Sequence, residues 1–388
     1  MRFFLTSPKK LSNKKEVRQL TRLQEVELKQ QRIRQLLEEK NLDAILLKKQ
    51  ANFSWFTAGG YNMVGIASET GVTSLLATKT ARYIIANRIE MQRMMVEEGL
   101  GELGFQPLEF EWSVDREAEL VRQIAPDFTR VGADMGFAEA RNMDGDIKKL
   151  RYSLTDSEVE RYCFLGSKLS AALEKVMLGI RPGDQECEIA GRFGLELWKD
   201  RIDPTGIMVA ADERVALYRH PIPTQKMVKR YVMCCINARY KGLITTITRI
   251  MHFGRPAAEL TTQFAQNLEI ENRMIAATRV GQPMVRGFEA ALDGYRRIGK
   301  PDEWLLHHQG GSMGYYARDI KVVAETKDLV QERQAFCWNP SITGTKTEDG
   351  FIATSQGPVM ISQPVIFPQV RQEIDGVQFV RPGMLVVD

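Results

Sequence analysis

Three of the chain's four histidines stand where they could do chemistry. His307 and His308 are adjacent, after Trp304-Leu305-Leu306, and His220 lies in Tyr218-Arg219-His220-Pro221-Ile222-Pro223. Imidazole changes charge near neutrality, so each can move a proton or bind a metal ion. After an apolar run, one of the adjacent pair is expected as a hydrogen-bonded strand histidine and the other as a cleft residue, with His308 the cleft candidate. Cys234 and Cys235 raise a second chemistry, a thiolate nucleophile activated by histidine. No sequence feature brings His220 to either sulfur, and cysteine in an apolar run is ordinarily a small buried side chain. The five cysteines are spread through the chain without CxxC spacing, which argues against a disulfide framework and a structural zinc site. No Gly-rich phosphate loop opens a helix after a strand, and Met-rich runs such as MQRMM read as core or interface.

The charge balance narrows the function classes. With 53 Lys+Arg against 49 Asp+Glu, the net charge of +4 over 388 residues is too small for an electrostatic nucleic-acid binder, and 44% hydrophobic residues fit a soluble globular protein of two or three domains. Basic residues do gather at the start (Lys9, Lys10, Lys14, Lys15, Arg18, Arg22), without interleaved aromatics for base stacking, and residues 1–22 read as a solvated tail. No run approaches the roughly 18 apolar residues of a membrane span, and Met1–Leu5 breaks off before a signal peptide's apolar region. A cytoplasmic protein with no membrane or nucleic-acid partner is expected.

The elements that must position these residues are legible in the hydrophobic pattern. From Leu23, LQEVELKQQRIRQLLEEK places Leu23, Val26, Ile33, Leu36 and Leu37 near helical period. DAILLKK, VTSLLAT and ARYIIAN then read as strands, with MQRMMVEEGLGELG as a helix, so residues 23–154 form an α/β unit. Thr155 or Asp156 is the expected N-cap of the next helix. From 155 to 388 two units of helix, break, helix recur, at Ile180-Arg181-Pro182-Gly183 and at Arg279-Val280-Gly281, with strand-like runs KRYVMCCINARY, GLITTITRIMHFG, QAFCWNPSITG and GFIATSQGPVMIS between and after them. The pattern predicts an internally duplicated α+β domain with antiparallel strands.

At this point the chain resembles the creatinase, prolidase, aminopeptidase P and methionine aminopeptidase group. The matching segments are IRPGDQECEIA, YRHPIPTQKMVKRYVM, NARYKGLITTITRIMHFGRP, and GGSMG followed by WNPSITGTKTED, in order. The resemblance implies a creatinase-like N-terminal α/β domain followed by a "pita-bread" domain. It also implies a homodimer in which one subunit's N-terminal domain borders the other's cleft, and a small-molecule or short-peptide ligand.

Most relatives hold two divalent metals with two aspartates, one histidine and two glutamates, because adjacent dications need several anionic oxygens around them. Carried across, those positions are Cys235, Thr246, Gly311, Asn339 and Glu348. Only Glu348 keeps a carboxylate, so the paired-metal site is expected to be absent, with no cofactor. A relocated single-ion site built from His220, His307, His308, Cys235 and Glu348 stays open as an alternative, since those ligand types suit zinc.

Creatinase offers the precedent for metal-free chemistry in this group, and its proton-transfer histidine matches His220. The GYYARD segment resembles creatinase's Tyr-Tyr-x-Arg stretch, which makes Arg318 the candidate clamp for a substrate carboxylate. Arg249 falls on the arginine beside the group's metals, either as a substrate anchor or in a structural ion pair, Glu348 being the suggested partner. Lys346 is expected to put a cation where a metal lies in the relatives. The expected function is a metal-independent hydrolase of a C–N bond in a small carboxylate-bearing substrate: an amino-acid derivative, dipeptide or guanidino compound. His220 would be its acid/base, and Arg318, His308, Arg249 and Lys346 would bind substrate. The alternatives are a pseudoenzyme that binds a peptide or metabolite, and an Xaa-Pro dipeptidase or aminopeptidase with a rebuilt metal site.

Overall fold

A computed structural model describes residues 20–388; most of the segment expected as a basic tail, up to residue 19, lies outside the described residues. The first helix, α1 (Arg22–Glu39), starts at a capping box. The Thr21 hydroxyl accepts from the Gln24 backbone N–H while the Gln24 side chain accepts from the Thr21 N–H. Val26, Ile33, Leu36 and Leu37 are buried as the periodicity predicts, whereas Leu23 faces solvent.

Beside α1 lies a six-stranded sheet: β1 (Ala44–Lys49), β2 (Thr70–Thr78), β3 (Arg82–Asn87), β4 (Gln106–Phe110), β5 (Val131–Ala133) and β6 (Arg141–Asn142), in the order β4-β3-β2-β1-β5-β6. The β1–β2 and β2–β3 pairs are antiparallel and the others parallel. Helices α2 (Gln50–Phe56), α3 (Arg88–Val96), α4 (Glu117–Ile124) and α5 (Asp144–Lys149) complete the unit. Met91 and Met94 of the MQRMM run pack into its core.

The second unit opens with α6 (Asp156–Leu178), capped by Thr155 and Glu158 in a further capping box. Then come α7 (Glu186–Trp198), β7 (Asp203–Ala211), the single-turn α8 (Arg214–Leu217), β8 (Tyr231–Tyr240) and β9 (Leu243–Phe253). A second pair of helices, α9 (Ala258–Ala277) and α10 (Val285–Arg297), precedes β10 (Gly310–Ser312), β11 (Ile320–Lys321) and β12 (Gln334–Trp338). The short hairpin β13 (Ser341–Ile342) and β14 (Thr345–Lys346) leads into β15 (Asp349–Thr354) and β16 (Gly357–Met360). The chain ends with the β17 (Gln369–Ile374) and β18 (Val377–Pro382) hairpin and β19 (Leu385–Val387).

Two helices followed by antiparallel strands therefore occur twice, as the repeated helix, break, helix pattern predicts. The first sheet runs β19-β9-β8-β7 and the second β11-β10-β12-β15-β16. A single bridge joins them, Thr248 to Glu348, with the Thr248 N–H donating to the Glu348 carbonyl at 3.0 Å. One expectation changes here. Residues 303–306 form a 3-10 turn, and His307 and His308 fall in the extended link between that turn and β10, so neither is the strand histidine expected.

A buried charge network ties α1 to α6. Lys29 Nζ lies 2.6 Å from Glu25 and 2.9 Å from Glu158, Arg161 reaches Glu25 at 2.7 Å, and the Tyr315 hydroxyl donates to Glu158 at 2.6 Å. Among the described residues no helix is long and apolar enough to cross a membrane.

Candidate functional site

The site begins with a hairpin. β8 and β9 pair antiparallel around Lys241-Gly242, two residues at positive φ, so that Cys235 faces Thr248 and Asn237 faces Thr246. Alternation along a strand puts Cys235 and Asn237 on one face and Cys234 on the other. Cys234 joins the hydrophobic core on that second side. Thr246 spends its hydroxyl on Asn237 Oδ1 at 2.6 Å.

Glu348, just before β15, projects its carboxylate onto this hairpin. One oxygen accepts from the Cys235 thiol at 3.1 Å and the Thr248 hydroxyl at 2.9 Å, and lies 3.0 Å from Lys346 Nζ. The other pairs with Arg318 at 2.7 Å. Burial alone would raise the Glu348 pKa, but Lys346, Arg318 and the Cys235 hydrogen bond outweigh it and hold the carboxyl far below its ordinary range. Lys346 is held protonated: burial opposes its charge, and Cys235 and Glu348 overcome that. The Cys235 thiol is pushed up to about 12, first by burial and then by Glu348, so it stays protonated at neutral pH and is a poor nucleophile.

Glu348 and Asp349 are neighbours that turn to opposite sides. Asp349 binds Arg249 at 3.0 Å and Arg381 at 3.0 Å; Arg249 also reaches Glu174 at 3.2 Å, and Arg381 reaches Glu271 at 2.6 Å. The suggested Arg249–Glu348 pair is thus corrected to Arg249–Asp349 and Arg249–Glu174. At 2% exposure, with carboxylates at its guanidinium, Arg249 has the geometry of a structural ion pair rather than a substrate anchor. The sequence reading missed Asp349, Glu174, Glu271 and Arg381. Strand alternation after Glu348 was the available signal for Asp349; nothing local marks the other three.

Gly311 lies in β10 of the second sheet, and Asn339 directly follows β12. Gly311 has φ +148°, and a Cβ there would lie 2.1 Å from the Ile320 carbonyl oxygen, so the position holds no larger residue without backbone movement. Asn339 is 2% exposed, and its Oδ1 finds no hydrogen-bond partner among the described residues.

His220 is carried on the loop between α8 and β8, which is fastened by Arg219. That guanidinium donates to Glu303 at 2.6 Å and Thr343 at 2.8 Å, and so ties the loop to the turn before His307. His220 Nε2 then lies 3.1 Å from His307 Nε2, and the His307 and His308 rings stack with centroids 4.5 Å apart. His307, not His308, is the hydrogen-bonded partner of His220. Burial and then Lys346 lower His307 to about 2; burial and then Arg318 lower His308 to about 4. Burial and Lys346 lower His220 as well, and its ring is the solvent-exposed member of the three. All three imidazoles are neutral at pH 7.

Two cavities flank this group. One of about 340 Å³ is lined by Arg318, Asn237, Tyr316, Thr205 and, from the first unit, Ser68 and Glu69. The other, about 350 Å³, is mostly apolar and is lined by Phe288, Trp304, Val322, His307 and His308. Arg318 Nε, His307 Nδ1 and His308 Nδ1 are buried without a hydrogen-bond partner among the described residues. Buried polar groups are normally satisfied, so such a set marks a place for water or a ligand.

Residues 165–371 match the model of metallopeptidase family M24, and residues 29–158 match the creatinase/prolidase N-terminal domain. The chain belongs to metallopeptidase family M24, and its architecture is the α+β pita-bread domain preceded by a creatinase-like α/β domain, as the resemblance implied. It is 24% identical over 233 residues to an uncharacterised peptidase of Staphylococcus haemolyticus; the match covers 58% of this chain and 66%, just under two thirds, of that relative. Among solved structures it is similar to an Xaa-Pro dipeptidase from Bacillus anthracis, with TM-score 0.73 and 20% identity, covering 93% of this chain and 100% of that one. A prolidase from Pyrococcus horikoshii OT3 gives TM-score 0.74 and 16% identity, covering 87% and 99%. At these identities the structural likeness establishes the fold.

The family's paired metals can be tested against the donors present. The five matching positions supply one carboxylate, a protonated thiol, a hydroxyl already bonded to Asn237, an amide and a glycine. That single carboxylate is in contact with two cations of the chain itself, Lys346 and Arg318. This donor set does not fit a pair of dications.

Proposed function

We propose that the protein is a hydrolase of a C–N bond in a small carboxylate-bearing substrate, working without the family's paired metals. The observation that carries this reading is the His220–His307 contact beside an excess of positive charge. Two neutral imidazoles 3.1 Å apart provide one donor and one acceptor, and the outer one, His220, is open to solvent. His220 takes a proton from the attacking water, and returns it to the leaving nitrogen as the C–N bond breaks. Lys346 and Arg318 outnumber Glu348, leaving a positive potential that suits a substrate carboxylate and the negative charge growing on a carbonyl oxygen. Arg318 Nε supplies an uncommitted donor for the carboxylate, and His308 Nδ1 a further polar contact. A homodimer is part of this reading.

The test is a hydrolysis screen in chelator-treated buffer with dipeptides, guanidino acids and N-methylated amino acids. The expected result is a product formed by the wild type and lost in His220→Ala. Turnover that survives His220→Ala, or appears only with two equivalents of added metal, defeats the reading.

A second reading, a binding protein without chemistry, is supported by a different observation. The Arg318 guanidinium already bonds Glu348, so the clamp proposed for a substrate carboxylate is partly closed by the chain itself. A ligand that raises the melting temperature without being consumed favours this reading.

A further inference from the structure

His220, His307 and His308 form a cluster that uses none of the paired-metal positions Cys235, Thr246, Gly311 and Asn339. One ring nitrogen of each lies within 4.8 Å of the others. A tetrahedral zinc ion with Zn–N of about 2.0–2.1 Å holds its nitrogen ligands about 3.3 Å apart. The His220–His307 separation of 3.1 Å is already close to that edge. No pair in the set is wider than 4.8 Å, so a relative movement of at most about 1.5 Å, shared between side chains, completes it at that bond length.

We infer that these three histidines form a mononuclear site for a borderline transition-metal dication of the zinc, cobalt, nickel and copper class. Three imidazole nitrogens select that class over magnesium and calcium, which take oxygen. Because His220 is exposed, the fourth position is open to water or to a ligand carboxylate. The ion replaces the hydrogen bond between His220 and His307. The proton of that bond moves to the other nitrogen of its own ring, and His307 Nδ1, unpartnered, has room for one.

The surroundings set the strength. Lys346 and Arg318 oppose a dication, and Glu348 carries a single compensating charge. No carboxylate among the described residues is placed against His307 Nδ1 or His308 Nδ1 to orient the ring, the support that tight sites normally have. Binding is therefore weaker than at a closed structural zinc site. It also engages the His220 lone pair that the proposed hydrolysis uses. The inference itself concerns binding and stands whether or not that hydrolysis occurs.

The experiment uses the full chain without a histidine tag, stripped with chelator and titrated with Zn²⁺ by calorimetry and with Co²⁺ by visible absorption. One ion per chain and the ligand-field bands of a nitrogen-bound Co²⁺ centre are expected. His220→Ala and, separately, His308→Ala should each weaken binding by at least the roughly 10–100-fold that loss of an outer-shell partner produces at other metal sites. His252→Ala, which removes the one histidine outside the cluster, should bind as the wild type does. His220 is exposed, so its variant tests the site without disturbing the fold, and circular dichroism checks all three. The inference is overturned by absence of stoichiometric binding to the wild type, by undiminished binding in both cluster variants, or by loss of binding in His252→Ala.

Discussion

Lys346 Nζ sits 3.0 Å from a Glu348 oxygen and 3.5 Å from the Cys235 sulfur, so an ammonium group occupies the space between two positions where the family resemblance places metal ligands. Lys346 is 5% exposed and Glu348 1%. Removing one partner of a buried pair leaves a charge without compensation. Lys346→Met should lower stability by about 3 kcal/mol, the low end for such a loss, because Arg318 still holds Glu348. Urea melts of Lys346→Met, Glu348→Gln and the double variant measure it. The double variant should be more stable than the sum of the singles predicts. A Lys346→Met protein as stable as wild type contradicts the arrangement.

Arg249 should behave as part of the framework. Its guanidinium is engaged by Glu174 and Asp349 on the side of β9 away from Cys235. Arg249→Met is expected to destabilise by about 3 kcal/mol, the low end for such a loss, since Asp349 keeps Arg381 and Glu174 keeps the backbone N–H groups of Val365 and Phe367. Any ligand that raises the melting temperature of the wild type should bind the folded fraction of this variant with wild-type affinity. A selective loss of affinity at unchanged stability would restore Arg249 as a substrate anchor.

The α1–α6 network makes acid sensitivity predictable. Burial alone would raise Glu158, but Lys29 and Arg161 outweigh it and bring its pKa to about 2. The unfolded value is near 4.5, so the unfolded chain takes up this proton first as pH falls. The stabilisation is whole above about pH 5 and is lost between there and about pH 2. In Glu158→Gln the dependence of unfolding free energy on pH should be shallower across that window by up to one proton, although the variant starts less stable. An identical slope in the two proteins would place the titrating group elsewhere.

How much of this was legible in the sequence follows from which interactions are local. The β8–β9 hairpin has a short turn and a clear apolar pattern, so the shared face of Cys235 and Thr246 could be read directly, and Lys346 is two residues from Glu348. Thr155 as a helix cap was equally local. What escaped depended on contacts across the sheets. Arg318 closes on Glu348 from 30 residues away, and Arg381 reaches Asp349 from a separate hairpin 32 residues on. The contact of His307 with His220 likewise joins two loops 87 residues apart, and the 3-10 turn at 303–306 that sets the direction of the chain before His307 has no signature in the apolar run.

Restoring the family's ligand histidine should fail at Gly311, for a reason distinct from the other four positions. Cys235, Thr246, Asn339 and Glu348 already carry side chains, so their replacement changes chemistry within existing space. Gly311 has φ +148° and its β10 backbone is flanked by β11 and β12, with the Ile320 oxygen 2.1 Å and the Val322 nitrogen 3.0 Å from where a Cβ would stand. A side chain there meets backbone strain of about 1–3 kcal/mol and overpacking of a similar size. Gly311→Ala should therefore lose more than about 2 kcal/mol on backbone grounds alone. Gly311→His should lose at least as much and gain no second ion, because Lys346 and Arg318 still stand beside Glu348. Denaturant melts and elemental analysis of both variants decide it. A Gly311→His protein that keeps wild-type stability and retains two metals per chain would show that the pocket still accepts the paired centre.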